Sequence, residues 1–161
     1  MSKQPLILVL TVGILAVSIL LAPATIFTVS ADSTYHSEHI DLMPVGDAPL
    51  RSGFVENIHA NGPTVYAIER YVLNGALPAT TYQVTLHIYA PGSACLAGEV
   101  AALDTATFVT NASGNGSAQA KFAPEDAADL KAASDTYEIR WTFTTDGALA
   151  YQTPCVMITL D

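Results

Sequence analysis

The sequence predicts an all-β sandwich of seven or eight short strands with one connecting helix, preceded by an N-terminal hydrophobic leader helix. Three observations carry this. Two segments alternate apolar and polar residues with a period of two, the mark of a half-buried strand. Turn dipeptides recur between the β-rich segments: Asn74-Gly75, Pro91-Gly92, Asn115-Gly116 and Asp146-Gly147, with Asn61-Gly62-Pro63 ahead of them. Residues 5–31 carry no charge at all.

Taken in order, residues 1–31 form the first region. Lys3 supplies a positive start, and residues 6–22 are interrupted only by Thr11, Gly13 and Ser18 before Pro23 closes the run. This is the pattern of a signal peptide. Small-residue cleavage patterns end at Ala24 and at Ala31, and Ala31 is favoured because acidic chain begins at Asp32. The same stretch is long enough to be an uncleaved membrane anchor, since a span needs about 20 apolar residues. Either way the single Lys lies before the apolar run, which places the rest of the chain on the extracytoplasmic side, secreted or anchored there.

Residues 32–52 hold two Pro and a Gly with no sustained period and are expected to be an irregular stem with one short strand at its end. The domain proper is 53–161. Its clearest strands contain Tyr82, Val84, Leu86 and Ile88 on one face, and Tyr137, Ile139, Trp141 and Phe143 on the other segment's inner face. Further strands are expected at 54–59, 65–73, 99–110, 117–122, 148–152 and 156–160. Residues 124–133 (PEDAADLKAA) break the habit: Pro in the first turn, acids beside it and Lys131 near the end describe a short helix. This element count belongs to immunoglobulin-like and Greek-key sandwiches.

Once the leader is set aside, five basic residues face all fifteen acidic ones, a net charge of about −10. Such a surface repels phosphate backbones, which argues against nucleic acid as a partner. An exported chain with two cysteines invites one bridge, Cys95 to Cys155. It closes a loop of about 60 residues, for which chain entropy gives roughly 4 kcal/mol. Cys155 is out of phase with Val156, Ile158 and Leu160, so the bridge is expected at the rim of the sandwich rather than through its centre.

The chemistry visible in the residues is sparse. His36 and His39, with Asp32, Glu38 and Asp41 nearby, offer ligands of the type transition metals accept, and His59 and His87 are single histidines in strands. No nucleophile elbow or Ser-His-acid spacing is present, and Asn111-Ala-Ser-Gly-Asn115-Gly-Ser lacks the Gly-Lys-Ser/Thr ending of a phosphate loop. That segment contains two overlapping sequons, at Asn111 and Asn115, that are candidate glycosylation sites if the export route glycosylates. Neither a catalytic constellation nor a cofactor is indicated.

The run Leu86-His87-Ile88-Tyr89, then Gly92, Cys95 and Gly98, with Cys155-Val-Met-Ile-Thr near the end, resembles Cu/Zn superoxide dismutase over about a quarter of the chain. The resemblance implies a Greek-key sandwich with half its disulfide in the loop after a histidine-bearing strand and half in the last strand. His87 matches one copper-ligand position of that family. Tyr89 stands where a second histidine is required and no histidine follows His87, so dismutase activity is not implied.

The expectation is therefore a non-catalytic binding, adhesive or envelope module whose partner is an extracellular macromolecule or envelope component. Sandwich loops are its natural contact positions: Asn61-Gly62-Pro63, the segment from Pro91 and Gly92 to Gly98, and the Asn111 to Gly116 turn with Gly114 at its centre. The alternative is a small extracytoplasmic metal-binding or redox-protective protein using His36, His39, His59 or His87.

Overall fold

The computed structural model describes residues 36–60 and 62–160, so the leader with its cleavage point, Asn61 and the side chain of His36 lie outside the described residues. Among the described residues no helix is long and apolar enough to cross a membrane. Ten strands and one helix follow one another: β1 (His36–Asp41), β2 (Met43–Pro44), β3 (Ser52–His59), β4 (Ala67–Asn74), β5 (Thr81–Tyr89), β6 (Glu99–Val109), β7 (Gly116–Phe122), α1 (Pro124–Ala133), β8 (Thr136–Thr145), β9 (Ala148–Gln152) and β10 (Val156–Thr159).

The strands make two antiparallel sheets. One has the order β1-β3-β4-β7; the other runs β2-β9-β8-β5-β6, with β10 also paired to β8. Strand β5 pairs with β6 on one side and with β8 on the other, while β7 crosses to lie beside β4 in the first sheet.

All eight strands and the helix expected from the pattern are present, but the count is ten rather than seven or eight. The difference lies in the segment expected to be an irregular stem. All six residues of β1 pair with β3, from His36 against His59 to Asp41 against Phe54, and β2 pairs with β9. Polar residues hide the alternation, because only Ile40 and Leu42 turn apolar side chains inward while Ser37, His39 and Asp41 face solvent. Two apolar residues suffice for an edge strand that needs one covered face.

Between the sheets lie Trp141, Tyr71, Tyr82, Tyr151 and Phe143, all fully buried. Tyr82, Val84, Leu86 and Ile88 of β5 and Tyr137, Ile139, Trp141 and Phe143 of β8 face inward, as the alternation requires. Phe143 meets Tyr71 and Phe108 edge-on with centroids 6.0 and 6.3 Å away, geometry that adds to the area they bury. Where β9 gives way to β10, Thr153 stands in for the ladder: its N–H donates to Trp141 O at 3.0 Å, and its hydroxyl accepts from Trp141 N at 3.1 Å.

Helix α1 starts after Ala123, whose N–H donates to Asp126 Oδ2 at 2.7 Å, and Glu125 and Asp126 sit at its positive end. Ala127 is its buried residue. The helix is held at its far end by the Tyr137 hydroxyl, which donates to Leu130 O at 2.7 Å.

Two positions test this frame. At Gly114 (φ +74°) an added Cβ would lie 2.0 Å from Ala76 O, so Gly114→Ala is expected to destabilise the domain by more than about 2 kcal/mol in urea unfolding. Replacing both cysteines by Ser should remove about 2–5 kcal/mol in the same measurement.

Candidate functional site

The sulfur atoms of Cys95 and Cys155 are bonded at 2.04 Å, joining the loop after β5 to the residue before β10. The bridge lies toward the end of the six-stranded sheet where β5 finishes, with Cys95 buried. That end also carries the β3–β4 loop with Gly62 and Pro63, the loop from Pro91 to Gly98, and α1. The Asn111 to Gly116 turn is at the opposite end, where Ala76 N donates to Gly114 O. The three loops nominated as contact positions therefore do not converge. Asn111 Oδ1 accepts from Ser113 N at 2.9 Å and Asn115 N at 3.0 Å, while Asn115 Oδ1 accepts from Gly75 N at 3.1 Å. Asn111 is the more exposed of the two sequon residues.

The histidines occupy three separate environments. His39 lies on the outer face of the four-stranded sheet, its ring 4.3 Å from that of Phe54 and its Nε2 3.4 Å from Asp41. His59 is buried between the sheets, with Nε2 3.0 Å from Asn57 Nδ2. His87 is on the outer face of the six-stranded sheet, with Nδ1 2.6 Å from Glu99 and Nε2 2.9 Å from the Thr142 hydroxyl. No two of these three share a site. Cys95, Glu138 and Cys155 lie at ligand spacing, but both sulfurs are consumed by the disulfide.

The hydroxyl–imidazole–carboxylate alignment of Thr142, His87 and Glu99 orients the ring as a general base is oriented. It lies on an open sheet face, where backbone N–H groups of β5 and β8 are committed to the ladder. Around it the same face is a hydrogen-bonded polar grid. Thr85 donates to Asp104 at 2.8 Å and Thr107 to Gln83 at 3.0 Å.

At the bridged end this face meets the disulfide loop. The Glu138 carboxylate accepts from Gly92 N at 3.1 Å and the Ser93 hydroxyl at 2.8 Å, and these donors, with the Ala94 and Cys95 N–H groups, hold its pKa below the usual carboxylate range. The loop so anchored displays Leu96, 81% exposed, and the neighbouring strand displays Met157, 66% exposed and paired with Glu138.

The interior holds a second polar group. Glu38, Asn57 and Glu69 form one cross-strand row on the inward side of the four-stranded sheet. Glu69 is 3% exposed; its Oε2 accepts from the Tyr71 hydroxyl and from Trp141 Nε1 at 2.9 Å. Burial pushes the Glu69 carboxyl up to about 7, outweighing the two hydrogen bonds that favour the charged form. The Tyr71 hydroxyl is pushed up by burial and by the neighbouring carboxylate, so it stays a neutral donor. Asn57, His59 and Glu69 floor a cavity of about 60 Å³ whose walls are aliphatic and aromatic and whose cover is α1.

No family model matches the chain, and neither a curated protein nor a solved structure matches it.

None of Glu69, Asn57, Glu138 or Leu96 was singled out from the sequence. The signal for Glu69 was available: in β4 it keeps phase with Ala67, Tyr71 and Leu73, all inward. Asn57 and His59 likewise keep phase with Val55.

The Glu69 shift gives a signed pH dependence. Because the folded value lies above the ordinary 4.5, the folded state binds the extra proton between the two. Stability should be highest below about pH 4.5 for this group, fall as pH rises to about 7, and level off about 3 kcal/mol lower. Urea unfolding of wild type and Glu69→Gln across pH 5 to 8 should show that slope only in the wild type.

Proposed function

We propose that the chain is an exported β-sandwich module, released or tethered by its N-terminal segment, that acts without catalysis by binding another macromolecule of the envelope or its surroundings. The observation that carries this reading is Leu96. A leucine left 81% exposed is ordinary on a mobile loop, but this loop is fastened by the disulfide, by the Glu138 carboxylate, and by Ala90 N donating to Gly98 O at 3.1 Å. Fixing an apolar side chain in water brings no folding benefit; it lowers the ordering entropy lost when a partner's pocket receives it. The disulfide fits an oxidising compartment and the net charge of about −10 fits an extracellular medium with partners that are not anionic polymers.

Between the immunoglobulin-like and Greek-key alternatives, the connectivity favours the Greek key. Strands β5 and β6 form a hairpin, β7 crosses to the other sheet, and β8 returns beside β5. The resemblance to Cu/Zn superoxide dismutase read in the sequence implies a Greek-key connectivity of this kind and supports that reading. Tyr89 and the separated histidines keep it from extending to activity.

Capture from surface extracts with the disulfide-intact protein tests the binding reading. A specific macromolecule should be retained at micromolar protein, and Leu96→Asp should reduce its retention at least tenfold with an unchanged Tm. Retention of nothing specific, or undiminished capture by the variant, argues against it. The intact mass of the native protein reports export: a start at Asp32 marks release, and a start at residue 1 or 2 marks tethering.

A further inference from the structure

Glu69 sits where a carboxylate is expensive, at the floor of a cavity whose walls are Leu86, Ile88, Leu130, Ile139 and Ile158. Both of its donors, Tyr71 and Trp141, bond to Oε2, and Oε1 accepts none of the described hydrogen bonds. Asn57, its neighbour across the strands, lines the same cavity with its amide nitrogen on His59, leaving its carbonyl oxygen as a second acceptor. A floor of acceptors under an apolar vault calls for a ligand with a donor head and an alkyl body.

The cover and the approach agree with this. Helix α1 covers the cavity with its one buried residue, Ala127, and the half-buried Leu130. Leu103, Phe122 and Asp126 line both the cavity and an outer groove that also includes Asp104 and Lys121, so the way in passes between β6 and the start of α1. Two carboxylates against one ammonium in that groove, on a domain of about −10, attract cations and repel anions.

We infer that the cavity between the sheets is a binding site for a small primary alkylamine, its ammonium group on Glu69 Oε1 and Asn57 and its chain against the aliphatic walls beneath α1. A volume of about 60 Å³ corresponds to four or five water-sized positions, which sets the ligand at about five heavy atoms. The ammonium supplies the donor that the second oxygen lacks, and the carboxylate supplies the charge that the amine needs once out of water. This site is separate from the Leu96 surface and stands without it.

The probes are n-butylamine, 1-butanol and butyrate, titrated into the disulfide-intact protein and followed by the Trp141 indole N–H resonance, the hydrogen that Glu69 receives. Saturable one-to-one binding of n-butylamine is expected, with Kd on the order of millimolar for so small a ligand. It should be at least tenfold tighter than for 1-butanol, and butyrate should not bind. Glu69→Gln should weaken the amine at least tenfold and leave the alcohol within about twofold. Ala127→Leu, which fills the vault from the helix side, should abolish both. Equal affinity for amine and alcohol, preference for butyrate, or no saturable shift of the indole with any probe would overturn the assignment. If Glu69→Gln fails to fold, the ranking of the three probes on the wild type and their loss in Ala127→Leu decide the matter alone.

Discussion

The hydrogen bond from the Trp141 indole to Glu69 joins the two layers of the sandwich at their centre, and much of the interior is arranged around it. Trp141 belongs to β8 and Glu69 to β4, so the contact crosses the gap between sheets where dispersion and area burial otherwise act without direction. It fixes which residues face one another. Tyr71, two positions along β4, adds its hydroxyl to the same oxygen and is in turn braced by the Thr105 hydroxyl of β6 at 2.7 Å. Three strands are thereby linked through one carboxylate and the tyrosine hydroxyl beside it. A buried acid is costly unless its partners are in place, and burial outweighs the two donors here, so the carboxyl stays above its ordinary pKa. The arrangement specifies the stacking of the layers more than it stabilises them.

On either side of that contact the sandwich is filled differently. Toward the Asn111 end the rings of Tyr82, Tyr151, Phe108 and Phe143 pack within 5.5 to 6.3 Å of one another. The Tyr151 hydroxyl there reaches Pro49 O at 2.7 Å. Toward the disulfide end the aliphatics Leu86, Ile88, Ile139 and Ile158 sit among Tyr66, Phe122 and Tyr137, and the cover is a helix whose buried side chain is a methyl. Rings fill volume in few rotamers; aliphatics beneath an alanine leave voids. The cavity lies where the helix replaces strand, and the tight packing lies where strands continue.

Much of this was legible in the residues and some was not. The eight expected strands and the helix appear where alternation and turn chemistry placed them, because a half-buried strand must alternate whatever its partners are. The bridge was legible for a different reason, a count of two cysteines in a chain whose sequence reads as exported. Strand β1 was concealed because its inward apolar residue, Ile40, and Leu42 just after it sit among His, Ser, Glu and Asp, and an edge strand tolerates that composition. Sequence proximity does not show how the histidines are separated: His39 lies on the outer face of the four-stranded sheet, His59 is buried between the sheets, and His87 lies on the outer face of the six-stranded sheet. Glu69 carried a clear signal in its phase. A charged residue in an inward position is easily dismissed as an imperfection of the pattern, although burial makes it the more informative residue.

Strand β8 connects the interior to the surface that displays Leu96. Trp141 points inward to Glu69, and three residues earlier Glu138 points outward to the loop that carries Leu96. That loop holds Ala94 and Cys95 at positive φ, a conformation costly for residues with a Cβ, alongside Gly92 and Gly98, which adopt it freely. Four left-handed residues in eight persist only if the surroundings impose them, and here a carboxylate accepting backbone N–H groups and a covalent bond to Cys155 both do so. The same strand therefore carries one carboxylate's donor inward and another carboxylate outward. The inward contact sets where β8 lies relative to the other sheet; the outward one sets where the loop lies relative to β8. The position of Leu96 in space then follows from core packing through two fixed contacts.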